Sequence, residues 1–393
     1  MIPMALPAPD AAASEHSARV RQAVVEAIAG GGGFLPFDRY MEIVLYAPGL
    51  GYYAAGAAKF GRGGDFVTAP ELSPVFGRCV AATVADVLAA LGGGAVLELG
   101  AGSGRLACDV LTALAARGAL PERYEILEVS ADLRDRQAAS LATLPAALRD
   151  RVVWRDGLPA AGFRGVILGN EVADALPVRR FRRTAAGVVE LGVGLGADGA
   201  FAWASRPADE DLARAVAGIE VDLGRPLDDG YESEVCAVLP AFVASLADVL
   251  EAGLLLLVDY GYGRREYYDA ARRGGTLTCF YRHRVHADPF LLPGLQDLTA
   301  WVDFTQVATA AVDGGLELIG YTTQAQYLLD AGFAAAVADV TQSLDGIPRL
   351  NALAAAQTLV LAGEMGERFK CLALARGVAP TVGFRGRDFS ARL

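Results

Sequence analysis

Three groups of residues in this chain have types and spacings suited to chemistry. The first is Gly100, Gly102 and Gly104, with Glu98 just before them. Glycine tolerates positive φ and lets backbone approach a ligand closely, so a glycine turn that opens a helix can cradle a nucleotide-like molecule. A dinucleotide turn needs Gly-x-Gly-x-x-Gly, because a pyrophosphate sits on the helix end. Here the third glycine comes one residue early, and Arg105 stands where that pattern needs glycine. The second group is Glu128, which closes the hydrophobic run from Tyr124, 28 residues after Gly100. At the end of the second strand of a βαβ unit, a carboxylate faces the ribose hydroxyls of a bound nucleoside. Asp156, after Val152-Val153-Trp154, stands where such sheets contact an adenine. The third group is Asn170, Glu171 and Asp174. Its two carboxylates, three apart, are expected on one face of a short turn or helix and can orient an amine or a larger cation.

The elements that position these residues alternate. Strands are expected at 96–99, 124–129, 152–154 and 165–169, with helices over 106–116 and 131–144 between them. That alternation predicts an α/β fold with an open, mostly parallel sheet and right-handed crossovers. Further strands are expected at 254–261, 316–321 and 369–375. Residues 1–15 read as a disordered tail and 16–77 as a cap of helices and turns. The core is then expected over 78–265, with a hairpin excursion near 179–203 and an inserted subdomain at 266–315. The last sheet strands follow over 316–376, with a tail from 377 to 393. A helix ending near Leu250 is expected to be capped by Ser233 or Asp229, and the basic pairs Arg179-Arg180 and Arg182-Arg183 to form a solvated edge.

With 393 residues and 53% hydrophobic composition, the chain has material for a large core. A net charge of −11 argues against a nucleic-acid partner and favours a basic one. Five scattered cysteines and three histidines offer neither a zinc spacing nor a disulfide framework. The expectation is a cytoplasmic protein without signal peptide, membrane-spanning segment or metal.

Glu98-x-Gly-x-Gly-x-Gly104 resembles motif I of the class I S-adenosylmethionine-dependent methyltransferases. Longer stretches resemble the MidA-like family, whose mitochondrial member is an arginine methyltransferase that assembles respiratory complex I. They are RYMEIVLYAPGLGYY, GDFVTAPELSPVFG, VLELGAGSGRLACDVL, YEILEVSADLRDRQ, GNEVADALPV, DYGY, GLQDLTAWVDF and MGERFKCL, spanning about residues 39–376. Trp301 departs from the family pattern, which often has His there. The resemblance implies a Rossmann-like, seven-stranded methyltransferase sheet with a cap and an insertion, and S-adenosyl-L-methionine as cofactor. It also implies a protein substrate carrying an arginine; a homodimer is a further possibility. Glu98, Gly100, Gly102, Gly104, Glu128, Asp156 and Asn170 are then the cofactor-binding candidates. Glu171, Asp174 and Asn170 are the catalytic candidates, and Tyr53, Glu71, Tyr260 and His283 the substrate-side ones. Two alternatives stay open: a methyltransferase with another substrate, and an assembly chaperone that holds the cofactor without turnover.

Overall fold

A computed structural model describes residues 6–54, 67–380 and 382–393. The apolar run before the glycine turn forms a fully buried strand, β1 (Ala95–Leu99). Its sheet continues with β2 (Tyr124–Leu127), β3 (Val152–Arg155), β4 (Phe163–Asn170), β5 (Leu250–Tyr262), β6 (Glu317–Thr323) and β7 (Phe369–Arg376). The spatial order is 3-2-1-4-5-7-6. Strands β1 to β5 pair in parallel, and β7 runs antiparallel to both β5 and β6. An eighth strand, Val302–Asp303, pairs in parallel with the end of β5. Gly261 permits this: a Cβ there would lie 2.1 Å from the Val302 carbonyl oxygen.

The core beside this sheet is built from helix Pro74–Leu91, helix Arg105–Ala116 and the sheet's own apolar side chains. Helix Pro74–Leu91 starts at Ser73, whose hydroxyl accepts from the Val75 amide at 3.3 Å, and stops at left-handed Gly92. By length and composition alone its 18 residues could cross a membrane. Most of them are buried in the core.

The chain divides into two compact units. The sheet unit comprises Val67–Ala173, Pro240–Gly263 and Val302–Leu393. The other comprises Met1–Phe66, as far as described, with Asp174–Leu239 and Arg264–Trp301. Three stretches expected to be separate additions, the cap, the excursion and the insertion, thus contribute to one unit. It holds a five-stranded antiparallel sheet in the order Leu35–Pro36, Gly187–Leu195, Arg179–Thr184, Glu232–Val235, with Phe201–Pro207 paired to Gly187–Leu195. A second, three-stranded sheet joins Arg284–His286, Thr278–Tyr281 and Asp297–Thr299. Val20, Val24, Tyr40, Met41, Val193 and Leu298 belong to this unit's core.

Several boundaries differ from the sequence reading, each for a local reason. The first helix begins at Ala11 instead of after a tail, because the Asp10 carboxylate accepts from the Ala13 amide at 2.8 Å. Residues 55–66 of the expected cap lie outside the described residues, and 67–77 fold with the sheet unit. The excursion extends well beyond a hairpin, and helix Phe304–Asp313 belongs to the sheet unit rather than to an insertion. Ser233 is buried in a strand and caps nothing, while Asp229 accepts from the Ala185 amide at 2.9 Å.

The basic cluster is not a solvated edge, because neighbouring strands set carboxylates opposite it. Arg179 pairs with buried Glu190 at 2.6 Å and with Asp209 at 2.8 Å, and buried Arg180 lies 3.2 Å from buried Glu234. Residues 384–390 are no loose tail. They run along β6, an end strand of the sheet: the Tyr321 amide donates to Asp388 at 3.1 Å, and the Phe389 amide donates back to the Tyr321 carbonyl at 2.6 Å. The exposed ladder of an end strand is thereby covered.

Candidate cofactor and active site

Strand β1 delivers Glu98 and the glycine turn to the carboxyl edge of the sheet. Gly100, Gly102 and Gly104 all have left-handed φ, at 58°, 54° and 80°. The Gly100 amide donates to the Leu127 carbonyl at 3.0 Å, which holds the turn against the end of β2. Gly104 caps helix Arg105–Ala116, and a Cβ there would come within 3.1 Å of the Gln137 Cα. The turn therefore needs glycine both for its backbone angle and for its spacing from the next helix. Glu98 is only 3% exposed and accepts from the Tyr124 hydroxyl at 2.6 Å. Burial pushes its pKa up to about 7; the Tyr124 hydrogen bond opposes the rise and the nearby Glu128 charge adds to it.

Glu128 is also buried, and both of its oxygens are engaged. Oε1 accepts from the Ser130 amide at 2.9 Å, and Oε2 accepts from the Gln137 side chain at 3.0 Å. Burial raises the Glu128 pKa, and these hydrogen bonds act against the rise. Gln137 is 0% exposed. Its Nε2 also donates to the Gly102 carbonyl at 3.1 Å, and its Oε1 accepts from the Trp154 indole at 2.8 Å. One amide thus ties the glycine turn, Glu128 and β3 together. Asp156, at the end of β3, has a side chain 95% exposed and pairs with Arg134 at 2.7 Å. Glu71 accepts a hydrogen bond from the Ser103 hydroxyl, so this substrate-side candidate touches the glycine turn itself.

The segment after β4 is a turn, not a helix. Asn170 Nδ2 donates to Glu171 Oε1 at 3.1 Å, while Asn170 Oδ1 is buried without a hydrogen-bond partner. Glu171 has φ of 54°, a costly conformation for a residue with a Cβ. Two bonds to the end of β5 hold it there: the Glu171 amide donates to the Val258 carbonyl, and the Ala173 amide donates to the buried Asp259 carboxylate, each at 2.9 Å. The adjoining Val172 side chain would lie 3.6 Å from a Cβ at Gly100, so this turn borders the glycine turn. Tyr260, half-buried on β5, meets the Phe369 ring edge-on at 5.4 Å.

In the other unit, Tyr53 donates from its hydroxyl to buried Asp297 at 2.9 Å and stacks on Tyr46 at 5.5 Å. The Tyr46 hydroxyl donates to the Ala175 carbonyl at 2.7 Å. Burial holds both phenols well above their ordinary pKa, with the charges of Asp297 and Asp174 adding to it. Asp174 is itself buried, and its carbonyl accepts from the Ala300 amide at 3.0 Å. Tyr53 and Asp174 are thus gathered with two residues that the sequence did not single out, Tyr46 and Asp297. His283 is exposed, with φ of 60°, in the turn joining Thr278–Tyr281 to Arg284–His286. Among the described residues no cluster of His, Cys, Asp and Glu suits a metal ion.

Residues 79–322 match the model of a family described as S-adenosyl-L-methionine-dependent methyltransferase. This chain belongs to that family. A crystal structure of a superfamily member from Burkholderia thailandensis, bound to S-adenosyl-homocysteine, superposes on the methyltransferase with a TM-score of 0.93. It is 45% identical, with 99% of this chain and 100% of that one covered. The mitochondrial protein arginine methyltransferase NDUFAF7 of Danio rerio is 30% identical, covering 86% of this chain and 82% of its own. The Drosophila melanogaster homolog of NDUFAF7 is also 30% identical, covering 90% and 85%.

The methyltransferase uses S-adenosyl-L-methionine, and its residues fit that group. Three left-handed glycines keep the turn free of side chains where a ligand must lie close. Glu128 is a buried carboxylate at the end of β2, and the unpartnered Asn170 Oδ1 offers an acceptor at the end of β4. The residue that sequence reasoning missed is Gln137. It lies in the run YEILEVSADLRDRQ, where it looks like any polar residue on a helix; its place between Leu133 and Leu141 at four-residue spacing, about two helical turns past Ser130, is the signal for an inward role.

Proposed function

We propose that this enzyme is a protein-arginine N-methyltransferase, acting on a subunit of respiratory complex I or a related protein. The observation that carries the reading is Glu171. A carboxylate is held in a left-handed turn, against its backbone preference, at the mouth of the cofactor strands. A guanidinium stays protonated, with a pKa above about 12, and is a poor nucleophile. A carboxylate that accepts two of its N–H groups draws the charge toward itself and leaves the third nitrogen richer in electrons.

When bound, S-adenosyl-L-methionine supplies a methyl group on a sulfonium. Glu171 then grips and orients the guanidinium through its carboxylate, while Asn170 Nδ2 steadies Oε1 at 3.1 Å. Transfer forms an N–C bond, breaks the S–C bond and releases a proton from nitrogen. Alignment of nitrogen, carbon and sulfur is the main contribution of the site. Glu128 accepts from the ribose hydroxyls and Gly100 to Gly104 line the methionine and ribose side. The net charge of −11 favours a basic client segment. The names of the relatives support arginine as the target.

The test is intact-peptide mass spectrometry of proteomes from cells with and without the gene, followed by incubation of the purified enzyme with the peptide that changes. An arginine that loses one or two methyl groups in the deletion strain, and regains them in vitro, supports the reading. Methylation of another residue or of a small molecule replaces the substrate assignment. Binding of S-adenosylmethionine without any turnover replaces it with the assembly-chaperone reading.

A further inference from the structure

We propose that Gln137 is the positioning residue of the cofactor site: it locks Glu128 and the glycine turn into one geometry, so that the carboxylate meets the ribose hydroxyls correctly aimed. This rests on the assignment of Glu128 to the ribose.

The argument begins with the amide itself. Trp154 Nε1 can only donate, so it needs an acceptor. The Gly102 carbonyl and the Glu128 carboxylate can only accept, so they need donors. The three partners therefore dictate which way the amide points, with Oε1 toward Trp154 at 2.8 Å and Nε2 toward the other two at 3.1 and 3.0 Å. A residue serving packing alone could be Leu or Met at this fully buried position. A glutamine there meets three polar groups at once, each costly to leave unpaired in the interior.

The geometry also divides the labour on Glu128. Its Oε1 is held by the Ser130 amide, which belongs to the cap of helix Ala131–Leu141, and its Oε2 by Gln137 from the same helix. The helix thus fixes the carboxylate plane from two sides. Through the Gly102 carbonyl it also fixes the middle of the glycine turn. Removing the Gln137 donor leaves Oε2 without its neutral hydrogen bond in a buried setting. The ionised form of Glu128 is then disfavoured, and the carboxylate protonates at higher pH.

The experiment is calorimetric titration of S-adenosyl-homocysteine into the full chain from pH 5 to pH 9. The proteins compared are the wild type, Gln137→Met, Glu128→Gln and the double variant. The expected result for Gln137→Met is a loss of affinity of about 10-fold or more at neutral pH. The acid side of its affinity profile should also move to higher pH. In the Glu128→Gln background the same substitution should cost less, because much of its effect passes through the carboxylate. Unchanged affinity in Glu128→Gln would overturn the ribose assignment on which the proposal stands. Weakened binding in Glu128→Gln with wild-type affinity and an unshifted profile in Gln137→Met would overturn the positioning role alone. If Gln137→Met fails to fold, Gln137→Glu keeps the size and the Trp154 acceptor while losing the donors. It should bind at least as poorly at neutral pH, and wild-type affinity in it would likewise overturn the proposal.

Discussion

Replacing Glu98 by glutamine should stabilise the empty enzyme at alkaline pH while weakening its hold on the cofactor. Glu98 sits at 3% exposure, and its carboxyl is raised from 4.5 to about 7 by burial, with the Tyr124 bond only partly opposing. The folded-state value is above the unfolded one. Below pH 4.5 the group is protonated in both states and costs nothing. As pH rises toward 7, the unfolded chain ionises freely while the folded one resists, and folding becomes less favourable. Above pH 7 the cost levels off. The gap between 4.5 and about 7, at about 1.4 kcal/mol per pH unit, makes the plateau about 3 kcal/mol. Glutamine keeps the shape and still accepts from the Tyr124 hydroxyl, but it has no charge to desolvate. Glu98→Gln should therefore match the wild type below pH 4.5, exceed it by about 1 kcal/mol at pH 5 and by about 3 kcal/mol at pH 8, a rise of several degrees in Tm. Thermal melts of both proteins without cofactor, from pH 5 to pH 8, measure this directly. A wild-type advantage at pH 8, or a difference that does not change with pH, would refute the reasoning. The paired measurement is calorimetric affinity for S-adenosyl-homocysteine, which should fall: a destabilising carboxylate is worth keeping where a ligand uses it.

Three other outcomes follow from the same geometry. Gly104→Ala should cost about 1–2 kcal/mol in urea unfolding through its left-handed backbone alone, and should weaken cofactor binding further as the new Cβ pushes on helix Ala131–Leu141. Glu171→Gln should leave calorimetric affinity for S-adenosyl-homocysteine nearly intact, while turnover on the identified peptide drops by about 100-fold or more. Arg180→Ala should lower stability by about 3–5 kcal/mol in chemical denaturation, because Glu234 remains buried without its 3.2 Å partner.

The parts of the fold that were legible in the sequence were those with a local signal. The run Val96–Leu99 is apolar except for Glu98 and is followed by three glycines at fixed offsets, so strand, turn and helix could be read within twenty residues. Glu128 was legible because the next strand has the same apolar character and ends in a carboxylate. Gln137 was not, because its meaning lies in three partners at positions 102, 128 and 154. The basic cluster at 179–183 misled for a related reason. The partners of Arg182 and Arg180 sit about fifty residues away on a strand, Glu232–Val235, that the sequence presented as the approach to a helix. The left-handed turn at Glu171 has no sequence signature, since glutamate is an unusual residue for it. The buried Asp259 that pins this turn was visible only as part of the DYGY run, without a role.

The place of β7 in the sheet has a consequence for how the chain is made. This strand lies between β5 and β6, yet it is the last of the three to leave the ribosome. From the moment β5 emerges, its apolar run Leu254–Val258 must wait about a hundred residues for the neighbour that completes it. Nearly all the long-range pairing of the sheet's far half is deferred to one late event, the insertion of an interior strand between two others. Such a topology folds slowly, and while it waits it exposes an apolar edge open to mispairing. Nascent chains of this enzyme should therefore depend on a holding chaperone between the synthesis of residues 262 and 369, and should complete the far half of the sheet only once Phe369–Arg376 has slotted home.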